Sequence, residues 1–324
     1  MDAAALATLS SPVVLFFILG LLAAFARSDL AIPEAIAKGM SLYLMAAIGL
    51  KGGVAVAKSG FGGDVGPALI AGLFASLLFP FIAFVLLRQL AKLDRINAGA
   101  VAAHYGSVSV VTFVTASEML NTGGLPVAGY MVAVLAVMET PAILTGLLLA
   151  RSGSRQVAAE PRGRNEMIRE VFLNASVVLL LGSFAIGAIA GPNSYEDVKP
   201  LFESGFKGVL CLFLLDMGLI AARRLINTRA LSVPMVALAI LMPMLNGALG
   251  LAIGMAVGLD GGSLAAFAVL CASASYIAVP AAMRLALPQA DPGIYLTMSL
   301  SVTFPFNILV NIGLIAAAVR MMGG

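Results

Sequence analysis

Two short stretches place hydroxyl groups and small residues inside otherwise apolar runs. "AHYGSVSVVTFV", Ala103 to Val114, holds Gly106, Ser107 and Ser109, and "VLCASASYIAVP", Val269 to Pro280, holds Ala272, Ser273 and Ser275. Small residues let backbones approach closely. A helix can break at membrane depth only where protein, an ion or a watery cavity covers its exposed N–H and C=O groups. Two facing helix N-termini at such breaks make a compact anion site, because free N–H groups and the positive end of the dipole both favour negative charge. The competing reading is close helix packing, with each hydroxyl bonded to a carbonyl one turn back. Duplication of the motif favours the composite site.

Cation chemistry needs hard oxygen donors. Asp216, in "LCLFLLDMGL", is the clearest carboxylate in an apolar run, and a charge left unpaired there costs at least about 2.5 kcal/mol. It therefore faces the protein interior as a sodium ligand, a member of an ion pair or a proton carrier. Neighbouring spans can add the hydroxyls of Thr112 and Thr303 and the amide oxygen of Asn307, for which ordinary interhelical hydrogen bonds are the competing role. Glu139 precedes Pro141, where a proline-induced bend is expected, and either pairs with another helix or neutralises a cation. His104 is the only histidine, so a multi-histidine metal cluster is excluded; a neutral imidazole with one donor and one acceptor is expected, with proton relay as the alternative. Lys51, before Gly52 and Gly53, reads either as the end of a span or as part of a broken helix. Glu118 and Asn121 fall near a span end. Cys211 and Cys271 lie in apolar segments, which points to small buried side chains rather than a disulfide framework.

The elements that position these groups follow from composition. With 61% hydrophobic and 11% charged residues and a mean hydropathy of +1.04, the chain's solvent is mostly lipid. Apolar runs predict an all-α membrane protein with ten spans, near 12–27, 34–50, 65–88, 96–117, 124–150, 170–190, 200–221, 233–258, 263–286 and 293–319. No basic region precedes the first, so a retained span is expected rather than a signal peptide. The polar interval Arg151 to Glu170 divides the chain into residues 1–150, a linker at 151–168, and 169–324. Of the 19 Lys and Arg residues, 14 fall on the side carrying that linker, which puts it in the cytoplasm and both termini outside. A net charge of +3 without a basic, aromatic-rich soluble segment gives no sign of nucleic-acid binding, and no phosphate loop or catalytic triad is visible.

The halves also align internally. "VVLFFILG" from Val13 matches "VVLLLG" from Val177 with one gap, and "GMSLYLMAAIGL" from Gly39 matches "GVLCLFLLDMGL" from Gly208. Further on, Ser109 falls on Ser275 and Glu139-Thr140-Pro141 on Thr303-Phe304-Pro305, so the offsets are 164, 169, 166 and 164 residues. Five spans per repeat is an odd number, so the second repeat is inverted, and the fourth and ninth spans are the discontinuous ones. Secondary transporters use this arrangement to expose a midplane site to alternate sides. The other functional class considered is a membrane anion sensor that does not transport and reports through the linker.

The segments "AAHYGSVSVVTFVTA" from Ala102, "LCASASYIAVPAAMRLALP" from Leu270, "MAAIGLKGG" from Met45 and "FLLDMGL" from Phe213 resemble the SbtA-type sodium-dependent bicarbonate transporters, and the likeness covers nearly the whole chain. That resemblance implies two inverted five-helix repeats split between core and gate domains, each assembled from both repeats, and a homotrimer in a bacterial inner or plasma membrane. It also implies bicarbonate as substrate, sodium as coupling ion with no further cofactor, and a possible PII-like cytoplasmic regulator. Gly106, Ser107, Ser109, Ala272, Ser273 and Ser275 then become the anion-binding positions, and Tyr105 joins Thr112 and Asp216 among the cation ligands. Another small carboxylate is the alternative substrate.

Overall fold

A computed structural model describes residues 11–59, 63–152, 175–227 and 231–323. Most of the expected linker at 151–168, together with Arg229, lies outside the described residues. Among those described, every regular element is helical. They are α1 (Pro12–Phe25), α2 (Glu34–Ser59), α3 (Val65–Gln89), α4 (Arg95–Gly106), α5 (Val110–Thr122), α6 (Met131–Glu139), α7 (Pro141–Arg151), α8 (Ala175–Lys199) with a π-helical turn after it (Pro200–Ser204), α9 (Phe206–Asn227), α10 (Val233–Ala256), α11 (Gly261–Ala272), α12 (Ala278–Ala286) and α13 (Pro292–Met322). Among the described residues, six segments are long and apolar enough to cross a membrane; they contain α2, α3, α4 with α5, α6 with α7, α10 and α13.

The apolar residues fall into inner and outer sets. On α3, Ile70, Phe74, Leu77, Phe81 and Val85 form one helical stripe with exposures of 41–70%, while Ala68, Ala75 and Phe79 on the opposite face are fully buried. A solvent-facing helix reverses that polarity, so the stripe marks a lipid-facing side. Between helices, association in lipid depends on close packing of small residues. A Cβ on Gly20 of α1 would sit 2.1 Å from the Leu215 carbonyl oxygen, and one on Gly218 of α9 would sit 2.3 Å from that of Phe17. The α2–α8 crossing repeats the device, with Gly53 facing Phe184 and Gly187 facing Leu50. Elsewhere α4 packs between α3 and α7, α11 packs on α10 and α13, and α5 meets α11.

Three expected boundaries need correction. The second span runs past residue 50 to Ser59, because Gly52 and Gly53 sit at close helix contacts and do not end the helix; Lys51 is therefore inside α2, with its ammonium over the Phe206 ring. The span expected from residue 124 starts only at Met131. Gly124 takes φ +80° just past the end of α5, and the Leu125 N–H returns to the Leu120 carbonyl. This closes α5 in a left-handed cap. Finally, α8 extends to Lys199 through an interruption at Gly191, where φ is +69°.

Candidate functional site

The segment expected as the fourth span is broken between Gly106 and Val110. Asp94 opens α4 by accepting the N–H groups of Ile96 and Asn97 at 2.9 and 3.0 Å, and the helix is buried from Ala98 to Gly106. Gly106 lies against Pro80 of α3, so closely that a Cβ would stand 2.3 Å from the proline ring. Ser107 then turns extended, at φ −84° and ψ 164°. Two residues on, Ser109 caps α5 by accepting the Thr112 N–H at 3.2 Å, so the serines supply both the exit from one helix and the start of the next.

The segment expected as the ninth span breaks in the same way. α11 ends at Ser273, whose φ of −79° and ψ of 163° lie within 5° of the Ser107 values. The chain stays outside a helix until α12 begins at Ala278.

Hydrogen bonds join the two breaks directly. The Ser109 N–H donates to Ser273 Oγ at 3.0 Å, and the Ser275 N–H donates to the His104 carbonyl at 2.9 Å. Each interrupted helix also ends on an asparagine: Asn246 Nδ2 donates to the Tyr105 carbonyl at 3.2 Å and Asn307 Nδ2 to the Ala272 carbonyl at 3.0 Å. Asn311 in turn donates to Asn307 Oδ1 at 2.8 Å. These bonds satisfy carbonyls that lipid cannot serve.

Between the breaks lies a small cavity lined by Val108, Ser109, Glu139, Ser275, Tyr276 and Ala278, with Met45 of α2 also in its wall. Its open volume of about 10 Å³ is close to what one water occupies. The first residues of α5 and α12 border it, so two helix N-termini and two serine side chains converge on one spot. The Tyr276 hydroxyl faces Ser109 without a well-formed hydrogen bond. Glu139 is 3% exposed and its Oε2 has no hydrogen-bond partner.

The six expected anion positions therefore divide. Ser109 and Ser275 line the cavity. Ser273 ties the breaks together, and Ser107 donates from its Oγ to the Glu139 carbonyl at 2.7 Å. Gly106 and Ala272 are the last helical residues before the breaks.

The expected cation ligands are buried, and some are brought together. Thr303 Oγ1 donates to the Ala239 carbonyl at 2.6 Å; its one proton is thereby used, so the Tyr105 hydroxyl donates to Thr303 at 2.6 Å. Asn307 stands one turn further along α13, in the second of two π-helical turns, Thr297–Thr303 and Asn307–Asn311, that flank Pro305. Thr112 is buried in the first turn of α5. Asp216 is 4% exposed, its Oδ2 lacks a partner, and its helix α9 packs along the Thr297–Thr303 turn. No group of three His, Cys, Asp or Glu side chains that could hold a metal forms among the described residues; the expected set of hydroxyl and amide oxygens with the Asp216 carboxylate is of the kind that suits a hard ion.

His104 is fully buried: its Nδ1 donates to the Ala100 carbonyl at 2.7 Å, its ring stacks on Tyr295, and Nε2 has no partner. The expected second hydrogen bond is therefore absent. Glu118, near the end of α5, pairs with Lys207 at 3.1 Å. Sequence reasoning missed Asn246, Asn311 and Ser76. Ser76 accepts the Ala142 N–H and donates to the Met138 carbonyl, repairing the break at Pro141. The available signal was a polar side chain in the middle of an apolar span, which needs an interior partner.

No curated protein matches the chain. A family model does, over residues 12–320, and its description is the Na+-dependent bicarbonate transporter superfamily. With a match spanning nearly all of a multi-pass helical chain, this protein belongs to the Na+-dependent bicarbonate transporter superfamily.

Proposed function

We propose that the protein is a secondary transporter that couples sodium entry to bicarbonate import, with the anion held between the α4–α5 and α11–α12 breaks. The observation that carries this reading is the pair of bonds from Ser109 to Ser273 and from Ser275 to His104, which hold two interrupted helices at one cavity bordered by helix N-termini. Bicarbonate is small, planar and negative. It suits converging N–H donors and hydroxyls better than a deep apolar pocket.

Ten spans in two inverted five-helix repeats account for the matching geometry of the breaks. They also account for the exchange-related crossings of α1 with α9 and α2 with α8. In this reading α1, α2, α8 and α9 form the gate and the remaining helices the core, so each domain draws on both repeats. Rocking one against the other exposes the site alternately. Sodium, held by oxygens drawn from Tyr105, Thr112, Asp216, Thr303 and Asn307, offsets the anion's charge and steadies the broken backbone. Coupling is reciprocal, so bicarbonate also tightens sodium binding. The cavity has to widen to admit the four heavy atoms of the anion.

The family resemblance extends the proposal to a homotrimer in a bacterial inner or plasma membrane, with the linker and any PII-like regulator on the cytoplasmic side. Uptake of labelled bicarbonate into proteoliposomes, with and without an inward sodium gradient and with pyruvate or acetate as competitors, tests the reading. Accumulation that requires the gradient and resists both competitors is expected. Gradient-independent flux overturns symport, and effective competition by a carboxylate reassigns the substrate.

A further inference from the structure

The anion cavity has a carboxyl group in its wall. Glu139 ends α6 immediately before the Pro141 break, lines the space between the two helix interruptions, and leaves Oε2 buried without a partner. Its backbone carbonyl accepts from the Ser107 hydroxyl, which ties the end of α6 to the first break.

Cations on the packed elements are engaged elsewhere. Lys51 of α2 lies over Phe206, Arg88 of α3 donates to the Leu93 carbonyl, Arg151 of α7 to the Ala286 carbonyl, and Lys199 of α8 pairs with Glu196. The remaining charged residues of α2 and α8 are Glu34, Lys38, Lys58, Glu196 and Asp197, all toward the helix ends; α11 carries only Cys271, which is buried. Tyr276 is the one other titratable group in the cavity wall. Glu139 thus has no positive partner among the described residues.

An ionised Glu139 and a bound anion would place two negative charges in one small space walled by the buried Ser109, Ser275 and Tyr276, where their repulsion is screened less than in water. We infer that Glu139 carries a proton when the anion is bound, so that its O–H donates to the anion and the site takes up anion and proton together. The proton comes from the aqueous side to which the cavity is open and stays on the carboxyl oxygen; no bond other than O–H forms. Glu139 is then a specificity residue, a neutral donor that favours an acceptor-rich oxyanion, and anion affinity falls as pH rises. This inference rests on the proposed anion site between the breaks.

The experiment measures labelled bicarbonate binding to purified, detergent-solubilised protein at saturating sodium between pH 7.5 and 9.5, with free bicarbonate held constant by adjusting total carbon. Wild-type affinity is expected to fall by up to about tenfold per pH unit above the carboxyl's titration. Glu139→Gln, whose amide donates at every pH, is expected to flatten the profile and to bind at least tenfold more tightly than wild type at pH 9.5. A flat wild-type profile overturns the inference without any variant. So does a Glu139→Gln protein that binds bicarbonate more weakly at every pH together with a tenfold loss of sodium affinity, since that marks an ionised cation ligand. Absence of bicarbonate binding to wild type at every pH overturns the functional reading itself.

Discussion

Ser109 and Ser273 lie 164 residues apart in the chain and meet at 3.0 Å, the backbone N–H of the first donating to the hydroxyl of the second. Ser273 also passes its own proton to the Leu270 carbonyl at 2.8 Å, so one hydroxyl ends α11 and anchors the other break. Replacing Ser273 with alanine leaves the Ser109 N–H buried and unpaired, which costs about 1–3 kcal/mol. A lower melting temperature and weaker bicarbonate binding are expected, measured by thermal denaturation and labelled-ligand binding. Unchanged values for both properties would show that the bond does not hold the site together.

Tyr105, Thr303 and the Ala239 carbonyl form a donor chain in one direction. A double-mutant cycle of Tyr105→Phe and Thr303→Val should give a coupling of about 0.5–3 kcal/mol in stability, the range for residues sharing a network. If these oxygens also bind sodium, each single variant lowers sodium affinity when bicarbonate binding is titrated with sodium. Additive stability effects and unaltered sodium titrations would remove the pair from the site.

Asp216 is buried with an unpaired oxygen on α9, a helix that packs along the Thr297–Thr303 π-helical turn. Asp216→Asn keeps the shape and removes the charge. An increase of tenfold or more in the sodium concentration that half-activates uptake is expected. If sodium dependence persists while dependence on a proton gradient disappears, Asp216 carries protons instead.

Gly53 allows α2 to approach α8 so closely that a Cβ would lie 1.9 Å from the Phe184 carbonyl oxygen. Gly53→Ala must separate the two backbones, and overpacking of this kind typically costs about 1–3 kcal/mol. A reduced yield of folded protein and a lower melting temperature are expected, whereas Gly39→Ala, which meets no atom within 4 Å, should leave both nearly unchanged. Equal effects would argue against the close crossing.

Much of this architecture could be read in advance because it rests on local chemistry. Gly106-Ser107 and Ala272-Ser273 interrupt apolar runs, and serine is both a poor helix interior residue and a good N-cap, so the breaks were visible as composition. What the apolar pattern concealed was backbone geometry. Leu125 and Val127 look like helix, yet Gly124 takes φ +80° and Pro126 lacks an N–H, so the helix waits until Met131. Gly52 and Gly53 look like a stop but mark a contact with another helix. Long-range partners were hidden for a different reason: that Asn246 would meet the Tyr105 carbonyl, 141 residues away, depends on which faces of α10 and α4 turn together, and residue type alone does not specify that.

The most direct measurement is an electron cryo-microscopy map of the protein saturated with sodium and bicarbonate. Planar density for the anion is predicted between the first turns of α5 and α12, within hydrogen-bond reach of Ser109 and Ser275. Anion density elsewhere in the protein, or continuous helix through Ser107–Ser109 and Ser273–Ile277, would contradict it.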